Sequence, residues 1–179
     1  MELKGSKTEA NLQTAFAGES MARNKYTYYA SKAKKEGYVQ ISNYFLETAG
    51  NEKEHAELWF KALHDGEVPT TTENLTDAAD GEHYEWTAMY KDFAQVAREE
   101  GFKKIAALME GVAKIEAEHE KRYLKLLGNI KEGIVFSREG DMIWQCSNCG
   151  HIHVGKTAPK ICPVCAHDQS YFQLKCIDY

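Results

Sequence analysis

Laid against itself with a shift of 64 residues, the chain repeats. Tyr26 falls on Tyr90, Ala33 on Ala97, Glu36-Gly37 on Glu100-Gly101, Ile41 on Ile105 and Ala49 on Ala113; then Glu52, Glu54 and His55 fall on Glu116, Glu118 and His119. A repeat of this length is a duplicated supersecondary unit, and its spacing says which. Ser6 with Glu9 has the form of a helix capping box, and apolar residues then recur at helical intervals (Leu12, Phe16, Tyr26, Tyr29, Ala33) up to Gly37. The same reading predicts a second helix from about Val39 to Gly66, a third from Asp77 to Gly101 and a fourth from Phe102 to Gly128, each closing on a glycine suited to the left-handed position after a helix. Glu67 to Thr76, with Pro69 and a Thr-rich run, reads as the long connection that carries the chain from one end of a bundle to the other. A helix pair and its copy, set about a pseudo-twofold axis, bring equivalent polar residues to one point in the core.

Those polar residues are carboxylates on apolar stripes. Glu52 lies three and four residues from Ala49 and Ala56 and seven from Phe45 and Trp59, so it shares their face of the helix. Glu116 sits likewise among Met109, Val112, Ala113 and Tyr123, and Glu19 stands three residues after Phe16 and seven after Leu12. Uncompensated buried carboxylates cost several kcal/mol each, so a group of them must either stay protonated or be compensated by a cation, which metal ions supply. Three residues of helix rotate a side chain by about 60°, so Glu52 and His55 can grip one ion, and Glu116 and His119 another. Glu19 and either Glu82 or Glu85 would let every helix contribute a ligand. An oxygen-rich set with few histidines suits iron or manganese better than copper, and zinc also fits. A lone Glu-x-x-His in a charged helix is common by chance; two at equivalent positions of a repeat, on core stripes, are not. Glu54, Glu57, Glu118 and Glu120 read as solvated, His64 and His83 as capping or surface residues, and Tyr26 and Tyr90 as core residues first, although a phenol next to the site could donate a hydrogen bond or an electron.

The chain's five cysteines all follow residue 145. Cys146-x-x-Cys149 and Cys162-x-x-Cys165 are two knuckles twelve residues apart, a spacing that surrounds one ion with four thiolates. A module of about 40 residues cannot bury enough core to fold unaided, so that ion is structural whatever else it does. Zinc and iron fit it equally well, and Cys176 reads as a packed or free thiol. The break in composition puts a boundary in Asn129 to Asp141, giving a helical di-metal domain over 1–141 and a four-cysteine domain over 142–179.

No window approaches the roughly 18 unbroken apolar residues of a membrane helix, and the polar Met1 to Ala10 lacks the form of a secretory signal. The expectation is a cytoplasmic protein without disulfides. A net charge of -5 with no long basic run argues against nucleic-acid binding.

Taken together, Ala17 to Asn24, Asn51 to His55, Gly81 to Thr87, Glu116 to Tyr123 and the knuckles Cys146 to Gly150 and Cys162 to Cys165 resemble the rubrerythrins over nearly the whole chain. The resemblance implies a mainly α protein, a ferritin-like four-helix bundle with a small C-terminal rubredoxin-like domain. It implies two irons in a carboxylate-bridged site and a third on Cys146, Cys149, Cys162 and Cys165, with zinc a possible substitute in recombinant material. Glu52 and Glu116 would bridge, Glu19 and Glu82 would bind terminally, His119 would ligate one iron, and Glu85 and His55 would alternate on the other with redox state. Ala88 and Lys91 stand where many members carry an acidic residue and a proline, which touches only the tuning around the metals. The implied activity is reduction of hydrogen peroxide to water in oxidative stress defence, fed by an unidentified donor protein or reductase. The implied assembly is a homodimer or higher homo-oligomer, in which a linker flexible at Gly133 and Gly140 docks the cysteine domain near a partner's di-iron site. The competing readings are a ferritin-like ferroxidase, a di-iron oxygenase and a zinc ribbon on a helical scaffold.

Overall fold

A computed structural model describes residues 2–176; it contains five α-helices, a π-helical segment and a three-stranded sheet, and divides into compact units at Thr70/Thr71. The chain is mainly helical, with the four cysteines of both knuckles in and around the small C-terminal sheet. Among the described residues no helix is long and apolar enough to cross a membrane.

The first unit is a helix hairpin. Ser6 caps α1 (Lys7–Lys35) by accepting from the Glu9 N–H at 3.1 Å, and Glu9 reaches back to the Gly5 N–H rather than to that of the cap residue. Gly37 at φ +88 ends the helix: its N–H meets the Lys34 carbonyl and that of Tyr38 meets Ala33, so the last carbonyls are satisfied only because a left-handed residue follows. Helix α2 (Val39–Leu63) starts as expected but stops three residues before Gly66, because His64 and Asp65 have already left the helical conformation. Where the helices meet, Ala30, Ala33 and Ser42 are buried, and the Ser42 hydroxyl donates to the Ala30 carbonyl at 2.9 Å and contributes about 1 kcal/mol.

The second unit repeats this junction. Ala94, Ala97 and Ala106 are the counterparts of Ala30, Ala33 and Ser42 at a shift of 64, and all three are buried, Ala106 completely. Gly101 caps α4 (Tyr90–Glu99) with the same pair of hydrogen bonds as Gly37, and Arg98 forks onto Glu110 of α5 (Lys103–Lys131). Helix α5 runs through Gly128, the expected stop, because Leu127 and Asn129 are buried; its terminating glycine is Gly133, at φ +67.

The third expected helix needs two corrections. It begins at Thr71, not Asp77: Thr76 returns its hydroxyl to the Thr72 carbonyl, a back-bond that lets threonines sit inside a helix. Of the run Glu67 to Thr76, residues 71–76 are therefore helical and only 67–70 are loop. The helix is also not continuous. After α3 (Thr71–Tyr84), Glu85–Met89 form a π segment, and α4 follows directly. A π turn is a one-residue insertion into an α-helix, and the repeat records it: Leu12 and Glu19 match Leu75 and Glu82 at a shift of 63, whereas Tyr26 matches Tyr90 at 64.

The C-terminal sheet has the order β2-β1-β3, all antiparallel, with β1 Ser137–Cys146, β2 Ile152–Thr157 and β3 Phe172–Leu174. Pairing of β1 with β2 is irregular between Ser137 and Met142 and regular from Met142 to Gln145, which opposes Ile152. Gly133 and Gly140, expected as linker hinges, are respectively a helix-capping residue and part of β1. Trp144, Cys146, Ala158, Cys162 and Phe172 form the core here, and the Trp144 indole donates to the Gly155 carbonyl at 2.9 Å.

Candidate metal centres

Each knuckle folds the same way. The Gly150 N–H returns to the Cys146 carbonyl and the Ala166 N–H to that of Cys162, with both Gly150 (φ +79) and Ala166 (φ +59) left-handed. The turns point four sulfurs inward, Cys146 Sγ 3.7 Å from Cys165 Sγ and Cys149 Sγ 3.6 Å from Cys162 Sγ, with no disulfide among them. A tetrahedral ion at about 2.3 Å from each sulfur requires sulfur–sulfur edges of about 3.8 Å, so the cage fits a metal as it stands. Its electrostatics agree. The His167 N–H and neighbouring donors hold the Cys165 thiol down to about 5; the His151 N–H pulls Cys149 the same way, but burial and the other three sulfurs push it up to about 12. Four thiolates cannot coexist there without a cation.

The helical units carry two triads of one design. In the first, His55 Nδ1 lies 2.9 Å from Glu52 Oε2 and 3.8 Å from Glu19 Oε1; in the second, His119 Nδ1 lies 2.7 Å from Glu116 Oε2 and 3.5 Å from Glu82 Oε1. In each triad one ligand atom per residue lies within 4.8 Å of the others, as in the cysteine cage. The helical phase explains it, since Glu52 and Glu116 stay on the face of their buried or half-buried alanines and the histidines follow one turn on. Crowding raises the acids: a hydrogen bond that protonated Glu19 donates to Glu52, then burial, lifts Glu19, while burial and then the charge of Glu116 lift Glu82. A cation would relieve both. Oxygen-rich sets with one imidazole each suit iron, so the residues present fit the metals that the resemblance implies.

Of the seven helical ligand candidates, six fall into the triads and Glu85 does not; it opens the π segment, close enough to Glu82 and Tyr90 to raise both. Burial, followed by Glu85, Glu116 and Glu82, pushes the Tyr90 phenol up. Glu120 departs from the sequence reading, whereas His83 is the surface residue expected, its side chain 58% exposed. Far from being solvated, the Glu120 side chain is 16% exposed and holds both His83 and Trp86. Its counterpart Ala56 is buried, which was the available signal.

A family profile described as Rubrerythrin matches residues 10–127, and one described as the rubrerythrin rubredoxin-like domain matches 144–173. The chain belongs to the rubrerythrin family. It is 53% identical to the rubrerythrin of Porphyromonas gingivalis, over 96% of this chain and 91% of that one. It is 52% identical to rubrerythrin-1 of Clostridium acetobutylicum and 49% to the rubrerythrin of Nitratidesulfovibrio vulgaris, in both cases over 99% of this chain and 98% of the other. Rubrerythrins combine a di-iron site with a rubredoxin-like iron site and are oxidoreductases of oxidative stress defence, and both ligand sets are on this chain.

Proposed function

We propose that this rubrerythrin is a cytoplasmic peroxidase that reduces hydrogen peroxide to water, residues 1–141 carrying the chemistry and 142–179 the electron input. The carrying observation is the presence, in one chain, of two equivalent Glu-Glu-His triads and a four-thiolate cage. Two ferrous ions would supply the two electrons that, with two protons, turn one hydrogen peroxide into two waters. Glu52 and Glu116 would be shared between the ions, Glu19 and Glu82 terminal, and His119 fixed on one of them. Glu85 and His55 would alternate on the other, an anionic oxygen suiting the ferric state and a neutral imidazole the ferrous. The Tyr90 phenol, held protonated by its surroundings, keeps a hydrogen available at Oη beside the carboxylates. The four cysteines would hold an iron that returns electrons singly from a donor protein or reductase, within a homodimer or higher homo-oligomer.

Anaerobic mixing tests this reading against iron storage. Fully reduced protein should consume about one equivalent of hydrogen peroxide per di-iron centre, and about half an equivalent more from the reduced cage iron, with its iron content unchanged. Continued uptake and oxidation of added ferrous iron, with slow reaction towards peroxide, would favour the ferroxidase instead.

A further inference from the structure

The second copy of the repeat carries a polar clamp that the first lacks. Glu120 Oε2 accepts from Trp86 Nε1 at 2.5 Å and Oε1 pairs with His83 Nδ1 at 2.9 Å, so both oxygens are committed. The two rings meet edge to face with centroids 5.7 Å apart. His83 follows Glu82 and Trp86 follows Glu85, so the clamp brackets the point where α3 gives way to the π segment. In the first copy Ala56 stands for Glu120 and Ser20 for His83, while Trp86 falls in the stretch that holds the extra residue. Hydrogen bonds to an ionised carboxylate are stronger than neutral ones; these two lie at the insertion, whereas the second copy's other unmatched carboxylate pair, Arg98 with Glu110, lies at the hairpin junction. What they stabilise is therefore the inserted turn and not the hairpin junction that both copies share. That turn lacks the regular α ladder, and its first residue is Glu85.

We propose that Glu120 is a positioning residue: by holding Trp86 and His83 it fixes the π segment and so sets how Glu85 reaches the metal. The proposal rests on reading Glu85 as a ligand exchanged with redox state, and its test separates the two. Glu120→Gln keeps the shape but loses the charge and one acceptor; Trp86→Phe removes the donor and leaves a ring. In full-length, iron-loaded protein both variants should keep their helical iron. They should shift the absorption bands of the diferric centre and slow its single-turnover oxidation by hydrogen peroxide about tenfold, as loss of a partner behind a ligand does. In a Glu85→Ala background neither should add a further change. If Glu85→Ala alters the bands while both clamp variants match wild type, the clamp is refuted and the ligand survives. Bands unchanged by Glu85→Ala would remove the ligand and the clamp with it. Effects that add in full to those of Glu85→Ala would make Glu120 a packing residue and overturn the proposal. Should Glu120→Gln not hold iron, Trp86→Phe carries the same three outcomes.

Discussion

Replacing Cys162 with serine is expected to unfold residues 137–176 while the helices persist. Five residues form the core of this module, and Cys146 and Cys162 are two of them, 0% and 1% exposed. Three strands, the last only three residues long, cannot offset the conformational entropy of about 40 residues. A structural ion in such a cage contributes about 10–16 kcal/mol at neutral pH, more than the whole stability of many domains. With one thiolate replaced, the cage is incomplete and the core is opened to a hydroxyl. The variant should hold two ions per chain instead of three and lose resistance to proteolysis after Ser137, with the far-ultraviolet helical signal kept. Three retained ions and a resistant C-terminal region would contradict this.

Glu52→Ala and Glu116→Ala should each empty much of the helical site of iron, whereas Glu54→Ala and Glu118→Ala should not. The side chains of Glu52 and Glu116 are 16% and 14% exposed and sit beside their histidines; those of Glu54 and Glu118 are 66% and 65% exposed and pair with Lys53 and Lys121. Removing a carboxylate from a triad deletes a ligand and a charge, so the loss should exceed the 10–100-fold that an outer partner costs. The two exposed ion pairs are screened by solvent, contribute little to stability and nothing to metal affinity. Metal analysis after dialysis against a mild chelator measures the difference, and equal loss in all four would show the assigned stripe to be wrong.

The triads were legible because their geometry is local: Glu-x-x-His joins side chains one turn apart, and a repeat at equal phase doubles it. Gly37 and Gly101 were legible for the same reason, since a left-handed cap is a property of a few residues. The π segment was hidden by the single shift of 64, which gives the matches from Tyr26 on; the shift of 63 before it, matching Glu19 to Glu82, marks the inserted residue. That shorter shift also matches Thr71 to Thr8, inside α1, a sign of helix at Thr71 that the reading of a loop from composition passed over. Gly128 misled because a glycine in an amphipathic pattern is tolerated when its neighbours Leu127 and Asn129 are buried. The Glu120 clamp joins residues 34 and 37 apart, and no helical periodicity reports such a contact.

Two sites in one chain gain turnover only if electrons pass from the thiolate cage to the di-iron centre, and one comparison measures that directly. Cys149→Ala protein, or protein with zinc in the cage, is reduced chemically and mixed with hydrogen peroxide, then assayed for sustained peroxide reduction with an electron donor that wild type accepts. The first reaction should still consume about one equivalent per centre, while sustained turnover is abolished. Turnover at the wild-type rate with that same donor would contradict a relay and leave the four cysteines as a structural staple.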